Sequence, residues 1–352
     1  MSLQTVRIHV CIQLRLFFIL ALLCLSPSFS MSTSSSSGTG KDSLSPPKTN
    51  APNTVVSSCV CGSLSLQVQG VTLQTPTVDC HCPKCRHYHV AGFASYVKVP
   101  AGSVAWVGDT KATHRDSCNE VGAVDRIYCS TCRTKMASSL VSEDTQTNTT
   151  NNDDDDILVN LGPIEDDTVD DKIWIDWQSS RKPWQLESKP TWPTAKANFE
   201  ELDYEEHPSM LNVKGGCGCG ASTYEINNGP PSELQHCYCR LCRQFSGSAF
   251  QTWIPVPHEF FQWTSPEPEL VRTTGHGSRH MCGTCGGVLT IVYDEDDSTI
   301  WPAAGGLDDE TLPKTQGDMS NYLERVCHIC CIWKQNWYKL PKDGNERIDY
   351  AA

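Results

Sequence analysis

Seven cysteines occur twice in the same order, and that repeat restricts the chain to folds in which thiols converge in pairs and threes. The first set is Cys59 and Cys61, then Cys80, Cys82 and Cys85, then Cys129 and Cys132. The second is Cys217 and Cys219, then Cys237, Cys239 and Cys242, then Cys282 and Cys285. Both read C-x-C-G, C-x-C-x-x-C-R and C-x-x-C, and they account for fourteen of the 20 cysteines. Self-similarity on this scale means two copies of one structural unit. The repeat runs past the thiols. Residues 157–162 with Glu165, Asp166 and Asp167 answer residues 300–305 with Asp308 and Asp309. Further on, Lys172-Ile173-Trp174 with Trp184 answers His328-Ile329-Cys330 with Trp337.

So many cysteines mean either disulfides or metal, and spacing separates the two. A C-x-C or C-x-x-C turn presents two sulfurs to one tetrahedral zinc, whereas C-x-C pairs make poor disulfide partners. Glycine beside the cysteines also favours metal knuckles over a disulfide framework. Cys59, Cys61, Cys129 and Cys132 can therefore close one four-thiolate site, and Cys217, Cys219, Cys282 and Cys285 another. The middle cluster supplies three sulfurs within six residues, which leaves one coordination position for water, a substrate thiol or a neighbouring side chain. Arg86 and Arg243 follow the third cysteine of each triad. Each is a candidate for holding an anionic substrate group or the thiolates, or is a plain surface arginine. His81 and His236 are candidate ligands, though a histidine beside such a cluster more often hydrogen-bonds behind the ligands.

The 352 residues carry a net charge of −13, which argues against a protein that coats nucleic acid. Arg7 and Arg15 precede an apolar run, Leu16 to Leu25. It is about half the ~20 residues needed to cross a bilayer. Residues 1–30 thus read as a signal-peptide-like leader toward the secretory pathway or an organelle; if Met31 is the true start, the expectation is cytoplasmic. Residues 31–56 read as a disordered Ser/Pro-rich linker, 57–187 as the first zinc domain, 188–213 as a second linker and 214–345 as the second domain. No span is expected in the mature chain. Strands are expected at Leu64–Val68, Phe93–Val99, Phe250–Val256 and Val288–Val292, and no stretch has a sustained helical period. The acidic runs Asn151–Asp156 and Asp294–Asp297 fall in matching places and read as hairpin tips rather than calcium sites. Asn148-Thr149-Thr150 is a glycosylation triplet, meaningful only in a secreted chain.

The order C-x-C-G, C-x-C-x-x-C-R, C-x-x-C-G and G-x-L-D-D resembles the glutathione-dependent formaldehyde-activating enzyme family, which includes centromere protein V, over residues 57–345 as two tandem domains. The resemblance implies a mainly β fold of tandem Mss4-like zinc-binding domains, with curled antiparallel sheets and few helices. It implies up to two Zn2+ per domain. Cys217, Cys219, Cys282 and Cys285, like Cys59, Cys61, Cys129 and Cys132, would hold the structural ion. Cys237, Cys239 and Cys242, matched by Cys80, Cys82 and Cys85, would hold the second, reactive one. Family members are described as carbon–sulfur lyases acting on S-hydroxymethylglutathione, so the implied partner is a small thiol adduct. The second copy follows the pattern more closely: its Gly247 and Gly286 are answered by Val90 and Arg133 in the first. That makes Cys237, Cys239 and Cys242 the catalytic candidates, with Arg243 for substrate. The rival reading is a zinc-stapled interaction module without catalysis.

Outside the two sevens, Cys118 reads as a small core or loop residue. Cys327, Cys330 and Cys331 raise the possibility of a third metal site around His328, but the first copy has no cysteine in the matching segment. They are expected to be strand packing residues.

Overall fold

The structure, a computed structural model, describes residues 54–72, 74–118, 122–140, 156–165, 168–169, 182–184, 210–230, 232–312 and 323–349. The leader, the Asn148 triplet, Lys172-Ile173-Trp174 and most of both linkers lie outside them. In the first copy the strands are β1 Val55–Ser58, β2 Ser65–Val68, β3 Thr77–Cys80, β4 Ala94–Pro100, β5 Val104–Val107, β6 Lys111–Cys118, β7 Gly122–Cys129, β8 Lys135–Leu140, β9 Asp156–Asn160 and β10 Lys182–Trp184. The second copy has β11 Leu211–Gly216, β12 Thr223–Gly229, β13 Ser232–Cys237, β14 Gln251–Trp253, β15 Val256–Pro257, β16 Phe261–Trp263, β17 Glu269–Arg272, β18 Gly277–Met281, β19 Val288–Tyr293, β20 Asp296–Pro302, β21 Leu323–Ile329 and β22 Glu346–Ile348. Among the described residues there are two α-helices, α1 Pro83–His89 in the first copy and α2 Arg240–Ser246 in the second. The fold is mainly β, as the sequence predicts. No helix among the described residues is long and apolar enough to cross a membrane.

The first copy pairs β1-β2-β5 in a small sheet and β10-β3-β4-β9-β8-β7-β6 in a large one. The second repeats the small sheet as β11-β12-β16 but divides the large one into β14-β13-β21-β22 and β15-β20-β19-β18-β17. The cause is local. Where β4 runs unbroken and pairs on both edges, its counterpart stops at Trp253 and resumes at Val256, around Pro255. Proline has no N–H for the ladder, so the expected strand Phe250–Val256 splits there. Pairings are antiparallel except at β10/β3, β13/β21 and β21/β22. The acidic run of the second copy is a hairpin tip, with Tyr293 paired to Asp296. Strands β8 and β9 form the matching hairpin, whose tip lies outside the described residues.

The helices escaped the periodicity reading because seven residues give barely two turns. They start where a cysteine acts as cap. Cys82 Sγ accepts from Cys85 N and Cys239 Sγ from Cys242 N, each at 3.4 Å. Both end in a left-handed residue, Gly247 in α2 and Val90 in α1. Thus Val90, at φ 49°, keeps the backbone path of the glycine it replaces, at a steric cost of roughly 1–2 kcal/mol.

The copies interlock. Gly162 and Gly305, which match in the repeat, each lie against the other copy. A Cβ on Gly305 would overlap the backbone of Ala91, and one on Gly162 the carbonyl of Arg243. Arg86 forms an ion pair with Asp309, and Arg243 Nη1 donates to Gly162 O at 3.3 Å. Lys135 Nζ donates to Cys285 O at 2.9 Å and Gln335 Nε2 to Ile164 O at 2.8 Å. The apolar cluster of the first copy takes in Tyr238, Ala249, Phe250, Cys331 and Trp337 of the second. Residues 52–349 are accordingly one compact unit.

Candidate metal centres

Among the described residues, four groups of cysteines have their sulfurs gathered within 4.8 Å of one another. They are the two foursomes and the two triads that the spacing predicts. A zinc–sulfur distance of about 2.3 Å implies tetrahedral S···S edges of about 3.8 Å. Observed separations are 3.5 Å for Cys59–Cys61, 3.7 Å for Cys61–Cys129, 3.4 Å for Cys217–Cys219 and 3.7 Å for Cys219–Cys282. Cys80 and Cys82 stand 3.5 Å apart. None of the clustered cysteines is in a disulfide. Backbone turns fix each knuckle: Gly62 N donates to Cys59 O and Gly220 N to Cys217 O, both at 3.0 Å.

Such crowding suits a cation. Hydrogen bonds from Cys132 and Cys59 drive Cys129 toward thiolate, and those from Cys217 and Cys285 do the same to Cys282. Cys239 is pushed down by Cys237 and Cys242. These three clusters thus each hold a thiolate propped by neighbouring thiols, and a divalent ion would let the neighbours ionise as well. The sulfur donor set, its separations and its closed turns all fit zinc.

Each triad is built alike. A strand delivers the first cysteine, β3 for Cys80 and β13 for Cys237, and the second caps the helix that carries the third. A buried arginine then faces that third sulfur. Arg126 Nη2 donates to Cys85 Sγ at 3.4 Å and Arg279 Nη2 to Cys242 Sγ at 3.9 Å. Both guanidiniums are also over a ring of the helix, Tyr88 and Phe245. These arginines were missed from the sequence, although both stand three residues before the closing C-x-x-C. A divalent ion with three thiolates carries one net negative charge, which a buried guanidinium neutralises.

Arg86 and Arg243 are used otherwise. Arg243 is 5% exposed and donates from Nε to Tyr238 O at 3.2 Å, besides its bond to Gly162. Arg86 likewise reaches His81 O, at 3.1 Å. Both arginines pin the helix start and join the copies. His81 packs its ring on Phe93, and His236 shares a 2.9 Å hydrogen bond with Thr252.

In the first copy His89 lies beneath the triad. It donates from Nδ1 to Ser246 O, so Nε2 accepts from Tyr96 OH at 2.8 Å. Burial lowers its pKa from 6.5 to about 3. The unfolded chain therefore takes up this proton first, and the stability that neutral His89 contributes is complete above pH 6.5 and lost as pH falls toward 3. Urea unfolding of the wild type and His89→Gln between pH 7 and 4 checks this. The wild type should lose about 3 kcal/mol more than the variant over that range; equal slopes would contradict it.

The remaining cysteines divide. Cys327 and Cys331 are buried as the packing reading expects, with Cys331 Sγ donating to His328 O at 3.4 Å. His328 binds Tyr238 OH and Asp343, both at 2.9 Å. Cys330 departs from the expectation. It lies just beyond β21, in a left-handed conformation, with Sγ 3.8 Å from Cys237 Sγ. The β10 register shows why the repeat misled: Trp184 pairs with Cys80 where Ile329 pairs with Cys237, so the true counterpart strand starts later than Lys172. Cys118 ends β6, and its side chain is outside the described residues.

The family profile described as "Glutathione-dependent formaldehyde-activating enzyme" matches residues 54–173 and 212–325, well over half of the chain. The chain belongs to this family, with two tandem domains. It is also 24% identical over 142 residues to a protein of Halomonas elongata named as a candidate glutathione-dependent formaldehyde-activating enzyme. That alignment spans 38% of this chain and 85% of the relative, the length of one domain.

Proposed function

We propose that this protein is a zinc-dependent, thiol-directed carbon–sulfur lyase that acts on or binds adducts of the S-hydroxymethylglutathione class. One observation carries the reading: both triads gather three sulfurs around a point and place a buried arginine on the third, a donor set one ligand short of a tetrahedron. Zinc bound there would lower the pKa of a thiol that joins it and supply a nucleophilic thiolate. The chain's residues do the rest. Cys237, Cys239 and Cys242 would hold the ion, Arg279 fixes Cys242 and would offset the excess negative charge, and the part-exposed Cys239 marks the side from which a small thiol would enter. In the synthetic direction the C–S bond forms as the thiol's proton passes to the carbonyl oxygen of the aldehyde, and nothing is oxidised. Arg243 acts as a positioning residue at the helix start.

The test measures bound metal together with turnover of S-hydroxymethylglutathione. Cys239→Ser should lose one metal ion and all turnover. Arg279→Gln should keep its metal and lose about 10–100-fold, as for other groups that orient a ligand. Wild-type activity retained by Cys239→Ser would sink the reading. A zinc-stapled interaction module is the second reading, favoured by the first triad, whose cysteines are at most 2% exposed. Full metal loading with no thiol binding by wild type would establish it instead.

A further inference from the structure

We infer that Cys330 is the resting fourth thiolate of the metal held by Cys237, Cys239 and Cys242, and that an incoming thiol must displace it. The inference rests on metal loading of that triad as proposed above, and concerns what fills its last position.

Three observations carry it. The Cys330 and Cys237 sulfurs are 3.8 Å apart, the edge of a zinc–thiolate tetrahedron. The Cys330 sulfur is enclosed, the residue being 6% exposed. Its backbone, at φ 59° and ψ 35°, is in the left-handed region that non-glycine residues avoid. Unusual backbone of this kind persists where surrounding structure imposes it, commonly at functional sites.

The strand register explains how it gets there. Strand β21 runs parallel to β13 with Ile329 opposite Cys237, and Tyr238 N donates to Ile329 O at 3.0 Å. The chain turns sharply at the next residue, which aims Cys330 at the triad instead of continuing the strand. The first copy has no thiol to offer at this place. By the sequence repeat the counterpart is Trp174, and by the strand register it is Gln185. The two triads of one chain would thus differ in their fourth ligand.

Displacement balances simply. The incoming thiol gives up its proton as Cys330 takes one, so the number of thiolates at the metal is unchanged. Cys330 then acts as a built-in competitor that lowers the apparent affinity for an external thiol.

The experiment loads the full chain with an NMR-active cadmium isotope and reads each metal's scalar couplings to cysteine β-protons. In wild type, the resonance coupled to Cys237, Cys239 and Cys242 should couple to Cys330 as well, with no mutation required. Cys330→Ser should shift that resonance alone toward the three-thiolate range, and Cys331→Ser should shift none. Adding glutathione to wild type should abolish the Cys330 coupling, and Cys330→Ser should bind glutathione at least about tenfold more tightly. A loaded metal coupled only to Cys237, Cys239 and Cys242 in wild type overturns the inference while leaving metal loading intact. A Cys330 coupling that persists with glutathione bound overturns the displacement. The absence of any cadmium signal from that triad would instead defeat the loading on which the inference rests.

Discussion

Replacing Cys282 by serine is expected to release one metal ion per chain and to unfold the protein under conditions where wild type is stable. Cys217, Cys219, Cys282 and Cys285 join the turn after β11 to the turn after β18, segments far apart in sequence. A structural zinc in such a site contributes roughly 10–16 kcal/mol of apparent binding free energy. A domain's entire stability is about 5–15 kcal/mol. Losing the ion therefore removes as much as the fold has to spare. The loss should not stay in one copy, because the first copy's apolar cluster includes Phe250 and Trp337 of the second. Calorimetry should show one transition, moved down or abolished by Cys282→Ser, and strong chelation of wild type should reproduce it. Elemental analysis would show one ion fewer in the variant. Unchanged metal content and melting temperature would mean that the foursome is not a metal site.

Gly305→Ala is expected to cost about 3 kcal/mol or more, with the metal content retained. The added Cβ would overlap backbone atoms of Ala91, at the end of helix α1, where no side chain can rotate away. Relief requires the copies to separate locally, and that would strain the Arg86–Asp309 ion pair alongside. Gly162 meets the carbonyl of Arg243 in the reciprocal way, so Gly162→Ala should behave alike. Denaturant midpoints and limited proteolysis read the effect. Alanine at Gly275, where a Cβ meets nothing, is the control. If Gly305→Ala and Gly275→Ala were equally stable, the close approach of the copies would be refuted.

Much of this molecule was legible in its sequence, and for a specific reason. Thiol spacing is a local property: a C-x-C or C-x-x-C turn holds two sulfurs near each other whatever surrounds it. That is why the thiol pairs and triads could be read from residue order, while joining the remote pairs into foursomes followed from the four donors a tetrahedral site needs. Three of the four strands read from the sequence are found nearly as expected, but the fourth breaks at Pro255, and the two short helices that cysteine caps begin were not anticipated. Arg243 looked like a substrate residue because it adjoins a triad. Its partners, Tyr238 O and Gly162 O, are carbonyls, and backbone carbonyls carry no sequence signal.

The sequence by itself determined which cysteines cluster and that the unit occurs twice. Only the tertiary structure decided that the two units share a core, that Arg126 and Arg279 face the third cysteine of each triad, and that Cys330 turns toward Cys237. Those relations join segments remote in sequence through packing and strand register. Here a parallel pairing between β13 and β21 brings residues 237 and 330 together, and no local spacing could have announced it.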